Sequence, residues 1–135
     1  MNYMLDTNTV SHLLKGNQFV MNNLQEKPIS SICISVITEA ELLFGIAKRP
    51  DAIKLHKIVK SFLLRSTVLP WDTGTAKTYA YLRASMENNG LCLSALDLLI
   101  GAHALHNDAI LITNDKAFKK IKEISVADWT KTSVE

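Results

Sequence analysis

Five short apolar runs separated by stretches of helical periodicity constrain this chain more than any other feature. The runs fall at Tyr3 to Asp6, Ile32 to Ser35, Thr67 to Leu69, Ala109 to Thr113 and Ser125 to Asp128, and their spacing and turn signals read as β-strands. Helical patterns fill the gaps at about Thr9 to Lys15, Phe19 to Lys27, Val36 to Lys48, Asp51 to Leu64, Thr73 to Asn88, Ser94 to His106 and Lys116 to Lys120. Pro28, Pro50, Pro70 and Gly90 fall between these segments, as chain breakers should. Strands that alternate with helices predict an α/β fold with a mostly parallel sheet of about five strands, because parallel neighbours need long crossovers and helices supply them. No internal repeat or low-complexity stretch interrupts the pattern.

At 135 residues the chain is the size of one domain, expected over 1–135, and a domain of this size buries roughly two thirds of the surface its unfolded form exposes. Its longest strongly apolar stretch, Leu96 to Leu105, is interrupted by Asp97 and His103 and falls well short of the ~20 residues of a membrane span. The amino terminus begins with a strand-like segment rather than a basic leader, which gives the expectation of a cytoplasmic protein without a membrane partner. Cys33 and Cys92 form no Cys-x-x-Cys pair, and both are expected to be buried, reduced thiols among apolar neighbours. A formal net charge of +2 does not by itself require a polyanionic partner.

Four carboxylates stand out as a set. In an open α/β sheet, sites form beyond the carboxyl ends of the strands; Asp6 ends the first strand segment and Asp115 comes just past the fourth. Each also precedes a helix, where Asp is a favoured cap. Glu41 lies in an apolar helix with Thr38 and Gly45 on its face. A mid-helix glycine costs about 1 kcal/mol relative to alanine, so something is expected to approach the backbone closely at Gly45. The bland alternative is a solvated glutamate on a surface helix. Asp97 opens a helix, Ser94 to Leu105, that is apolar nearly all round, with Gly101 on the same face. It fits a Ser94-x-x-Asp97 capping box, yet a charge in such surroundings must also be paired or bind a metal.

Hard divalent cations prefer oxygen ligands, and an acidic set without matching His or Cys suits Mg²⁺ or Mn²⁺. If the four acids converge, a bound cation is the simplest way to keep them all ionised near neutral pH. A cation held by carboxylates suits phosphodiester hydrolysis, since it neutralises charge on phosphoryl oxygens and activates water.

Taken in order, the residues Met4-Leu5-Asp6-Thr7-Asn8, Ser35-x-x-Thr38-x-x-Glu41-Leu42-x-x-Gly45, Asp97-x-x-Ile100-x-Ala102-His103-Ala104 and Leu111-Ile112-Thr113-Asn114-Asp115 resemble those of the PIN-domain ribonucleases. The resemblance is to the VapC toxins of bacterial toxin-antitoxin pairs, and it runs from Met4 to about Trp129. It implies a three-layer sheet fold and metal-dependent endonucleolytic cleavage of transfer or ribosomal RNA. It further implies that Asp6, Glu41, Asp97 and Asp115 bind Mg²⁺ or Mn²⁺ with support from the Thr113 hydroxyl. A homodimer and a cognate VapB-type antitoxin are implied too. The sequence departs from the family in reading Ser94-Ala95-Leu96-Asp97 where Gly-Pro-x-Asp is frequent.

Two basic clusters are candidates for RNA contact: Lys48, Arg49, Lys54, Lys57, Lys60 and Arg65, and then Lys116, Lys119, Lys120 and Lys122 beside Asp115. Solvated helix faces explain the first set equally well. Thr7 and Asn8 are placed to cap the first helix or to orient Asp6. His103 reads as a packed helix residue, and Trp71 and Trp129 as core or interface aromatics. Three other functions compete. A haloacid-dehalogenase-like phosphatase would need its second acid at Asn8, and a phosphoacceptor receiver would need paired acids at Asn2 and Tyr3. A PIN-like module that binds RNA or protein without cutting would be expected to lack one of the acids.

Overall fold

The computed structural model describes residues 2–131; Met1 and residues 132–135 of the expected 1–135 domain lie outside the described residues. Its strands are β1 (Asn2–Leu5), β2 (Ile32–Ser35), β3 (Thr67–Leu69), β4 (Ala109–Ile112) and β5 (Val126–Ala127). Its helices are α1 (Thr7–Leu14), α2 (Gln18–Gln25), α3 (Val36–Ala47), α4 (Ile53–Arg65), α5 (Thr73–Asn88) and α6 (Ala95–His106). The expected helix over 116–120 is a 3₁₀ turn, as is Ile29–Ser31. Boundaries shift where side chains take over the capping. Asp6 is the cap of α1 rather than part of β1, because its carboxylate accepts from Thr9 N at 2.8 Å, and the helix therefore starts at Thr7.

All the strand pairs are parallel, in the order β3-β2-β1-β4-β5. Parallel strands covered on both sides read as continuous apolar runs, and successive side chains go to opposite faces. Met4, Cys33 and Leu111 pack on one side against Leu82 and Met86 of α5 and Leu98 and Ile100 of α6. Their neighbours Leu5, Ile34 and Ile112 pack on the other side against Val10 of α1, Val20 of α2, Leu42 and Ile46 of α3 and Val59 of α4. Three layers result, as expected.

This strand order sets where a site can form. The chain moves from β1 to β2 to β3 in one direction and then returns to lay β4 on the other side of β1. Crossovers therefore leave in opposite directions at β1 and β4, which opens a crevice at their carboxyl ends. Among the described residues no helix is long and apolar enough to cross a membrane.

Two sequence expectations need correction. Cys33 is buried, and burial pushes its thiol up to about 11, but Cys92 is exposed in the turn between α5 and α6. Its apolar neighbours misled, since Leu91 beside it is itself 36% exposed. At Gly45 nothing lies within 4 Å of where a Cβ would stand, so no close approach explains that glycine.

Candidate active site

The register pairs Leu5 of β1 with Ile112 of β4. Period-two alternation then carries the next residues, Asp6 and Thr113, to the side of Met4 and Leu111, which is the side covered by α6. The last carbonyl of β4 locks this corner, because Ile112 O accepts from Asp6 N at 3.0 Å and from the Thr9 hydroxyl at 2.9 Å. Asp6 and Thr113 are buried, at 3% and 5% exposure. Asp115 N donates to the Thr113 hydroxyl at 3.0 Å, and the Asp115 carboxylate accepts from Ala117 N at 2.9 Å. Both aspartates therefore do cap a helix or turn, as the plainer reading held, and in each case the cap uses Oδ1.

Asp97 lies in the first turn of α6, held by its backbone N–H donating to the Ser94 hydroxyl at 3.2 Å. Burial raises its carboxyl above the usual range, the Ser94 hydroxyl opposes the shift, and the negative charge of Asp115 adds to it. Asp6 is raised in the same sense. Burial is the main cause, the Thr113 hydroxyl and the amide and hydroxyl of Thr9 oppose it, and the charge of Asp97 adds. The three aspartates thus act on one another in a chain, Asp6 with Asp97 and Asp97 with Asp115. Two raised carboxyls, Asp6 and Asp97, beside further negative charge mark a place that a cation would relieve.

Glu41 reaches the same corner by another route. The Thr7 hydroxyl, one residue past Asp6, donates to the Glu41 carboxylate, and it lies 3.4 Å from the hydroxyl of the buried Thr38. Thr7 therefore links the β1 corner to α3, and it does not cap α1. In these rotamers no group of three His, Cys, Asp or Glu side chains among the described residues is set to hold a metal ion. The Glu41 carboxylate is engaged by Thr7, and one oxygen of Asp6 and of Asp115 is engaged by backbone amides. The donor set is nonetheless all oxygen and anionic, which fits a hard divalent cation and not a soft one.

Sequence reasoning missed Thr9, which is fully buried with its backbone amide on Asp6 and its hydroxyl on β4. The signal available was a second threonine one helical step past the acid. It also missed the partners of His103, which is packed as expected but bonds Ser35 and Pro70. Asn8 is exposed. Trp129 is core, while Trp71 is half-buried with its indole N–H on Leu99 O at 3.3 Å.

Residues 3–124 match the PIN domain family. The chain is 34% identical over 132 residues to ribonuclease VapC2 of Rickettsia felis, covering 96% of this chain and 98% of that one. It is 30% identical over 128 residues to the tRNA(fMet)-specific endonuclease VapC of Salmonella typhimurium, covering 94% and 97%. Its fold superposes on a chain of the crystal structure of Rickettsia felis VapBC2 bound to a promoter DNA fragment. That match has a TM-score of 0.88 at 32% identity and covers 96% of this chain and 99% of that one. A rim of acids at the β1/β4 crevice, a three-layer parallel sheet and end-to-end similarity agree: the chain belongs to the PIN-domain family and, within it, to the VapC ribonucleases.

Proposed function

We propose that this chain is the toxin of a type II toxin-antitoxin pair, a single-domain endoribonuclease whose acidic rim holds Mg²⁺ or Mn²⁺. The observation that carries the reading is the placement of Asp6 and Asp115 just past the carboxyl ends of β1 and β4, with Asp97 in the first turn of α6 near enough for its charge to act on Asp6 and for that of Asp115 to act on it. Those three, with Glu41, are the residues that would hold the ion. When bound, such an ion supplies positive charge against phosphoryl oxygens and makes water a better nucleophile at neutral pH.

The chain's own residues prepare that chemistry. Thr113 orients the Asp115 segment through its amide and, from its place beside Asp6, favours the ionised carboxylate. Thr9 does the same from the other side while tying Asp6 to β4. Ser94 starts α6 so that Asp97 emerges in its first turn. Thr7 keeps Glu41 at the rim. The exposed Lys116, Lys119, Lys120 and Lys122 follow Asp115 and are placed to receive phosphates of the RNA backbone.

The Salmonella relative is a tRNA(fMet)-specific endonuclease, which favours transfer RNA over ribosomal RNA as the substrate class. The partner is a VapB-type antitoxin, by analogy with the VapBC assemblies that share the fold. The chain works as a homodimer in the cytoplasm.

The test incubates purified chain with total RNA and Mn²⁺ or Mg²⁺ and maps new ends by sequencing. Discrete ends that disappear in excess chelator are expected. Equal cutting in chelator would remove the metal, and no cutting by wild type with either ion would remove the nuclease.

A further inference from the structure

One imidazole joins the two helices that bear acids. The ring of His103 on α6 is fully buried, with Nδ1 2.6 Å from the Ser35 hydroxyl and Nε2 3.0 Å from Pro70 O. With the ring neutral, each bond has only one possible direction. Pro70 O can only accept, so Nε2 carries the proton, and Nδ1 of a neutral ring must then accept. Ser35 Oγ already accepts from Ile37 N at 3.0 Å, so its single proton goes to Nδ1. This ordering requires a neutral histidine, and burial lowers the ring's pKa, which keeps it neutral. In the neutral ring every polar atom of the network is satisfied with no spare donor, and the proton positions have a single solution.

The placement matters because of what Ser35 starts. It ends β2 and caps α3, the helix whose Thr38 and Glu41 reach the rim, while His103 lies on the helix whose first turn carries Asp97. Period-two alternation sends Ser35 to the same side of the sheet as Cys33, and so into contact with α6. Pro70 ties in the segment after β3.

We propose that His103 is a positioning residue: through Ser35 it sets the distance between the helix bearing Glu41 and the helix bearing Asp97, and so the width of the metal-holding rim. This rests on the proposed nuclease reading for its effect on catalysis, but its structural part stands independently. A ring that merely filled space would be replaceable by leucine, whereas a ring that sets distance is replaceable only by a group with an acceptor and a donor at matching separation. Glutamine is such a group, since its amide oxygen and nitrogen are spaced much as the two ring nitrogens are.

The experiment compares wild type, His103→Leu, His103→Gln and Ser35→Ala, each shown to be folded at the assay temperature by circular dichroism. Amide resonances of residues 38–41 and 95–97 are recorded without metal; Mn²⁺ affinity is then measured calorimetrically, and RNA cleavage is followed with kcat and KM separated. In His103→Leu and Ser35→Ala the amides of both acid-bearing segments should shift together, Mn²⁺ affinity and kcat should fall about tenfold or more, and KM should hold. Raised Mn²⁺ should recover part of the rate, and His103→Gln should recover most of the resonance positions. A folded His103→Leu whose amides at 38–41 and 95–97 coincide with wild type overturns the proposal. So does one whose Mn²⁺ affinity matches that of an active wild type. A wild type that neither binds Mn²⁺ nor cuts RNA would instead sink the nuclease reading, and the resonance comparison alone would then decide the positioning role.

Discussion

The two acid-bearing helices look alike in sequence and differ in every physical respect that matters. Each has a glycine four residues past its acid, Gly45 after Glu41 in α3 and Gly101 after Asp97 in α6. In α6 a Cβ on Gly101 would stand 2.9 Å from Ile121 Cδ1, and the helix buries Leu98, Ile100, Ala102, His103 and Ala104 around it. In α3 a Cβ on Gly45 would meet nothing within 4 Å, and Leu43 and Phe44 are 42% and 65% exposed. The same spacing therefore means close packing in one place and an open face in the other. Asp97 lies in the first turn of a helix that is buried beyond it, and partial burial raises its carboxyl, while Glu41 rides on a half-exposed helix and is held by the Thr7 hydroxyl.

Concavity tells a different story from charge. A hollow of about 930 Å³ runs between α2 and α4 and is lined by Leu24, Ile58 and Phe62 together with Lys27, Lys57 and Arg65. Apart from Leu5 beneath it, none of the rim residues or their neighbours lines it. The chemistry is placed by strand ends and not by cavity size.

Cleavage should separate the two helices most strongly. Asp97→Asn is expected to lower kcat/KM by about 10³-fold with the fold kept, and Glu41→Gln by less, about 10²-fold. Single-turnover assays at saturating Mn²⁺ measure both, and equal losses would erase the contrast between the two carboxylates.

Stability should divide the same way. Leu98→Ala on α6, where the side chain is 6% exposed, should cost about 3 kcal/mol, and Leu43→Ala on α3 should cost under about 0.5 kcal/mol. Urea unfolding of each variant gives the two values, and comparable losses would show α3 to be covered in solution.

Acid should act through α6. Burial lowers the His103 pKa from its ordinary 6.5, against the opposing Pro70 carbonyl bond and the charge of Asp72, so below that pH the unfolded chain binds a proton that the folded chain refuses. The contribution is present above about pH 6.5 and is lost as pH falls toward the depressed folded value, with a slope of at most about 1.4 kcal/mol per pH unit. Denaturation midpoints from pH 8 to 5 should show the loss, and His103→Gln should flatten it. An unchanged slope in that variant would assign the loss to other groups.

The glycines give the smallest and sharpest contrast. Gly45→Ala should stabilise by about 1 kcal/mol, since helix propensity improves and nothing is displaced. Gly101→Ala should give no gain, because Ile121 Cδ1 must move out of a packed core. Thermal melts of the pair decide it.

Much of the fold was legible because its signals are local. Apolar runs of strand length, Pro and Gly breaks, and capping residues such as Asp6 and Ser94 act within a few positions of themselves. The acids at 6 and 115 were legible for a related reason: a residue just past a parallel strand lies at the rim whatever the order of the strands. Gly45 and Cys92 misled because spacing shows which residues share a face and not what stands opposite that face.

Residue order by itself determined the alternation of strands and helices, the layered class and the identity of the carboxylates, since each follows from period, propensity and charge along a short stretch of chain. Only the tertiary structure decided that β4 lies against β1 and not beside β3, that Thr7 reaches Glu41, and that His103 spans Ser35 and Pro70. Those contacts join residues separated by 33 to 107 positions. Their geometry comes from packing the whole core at once, which no local window contains.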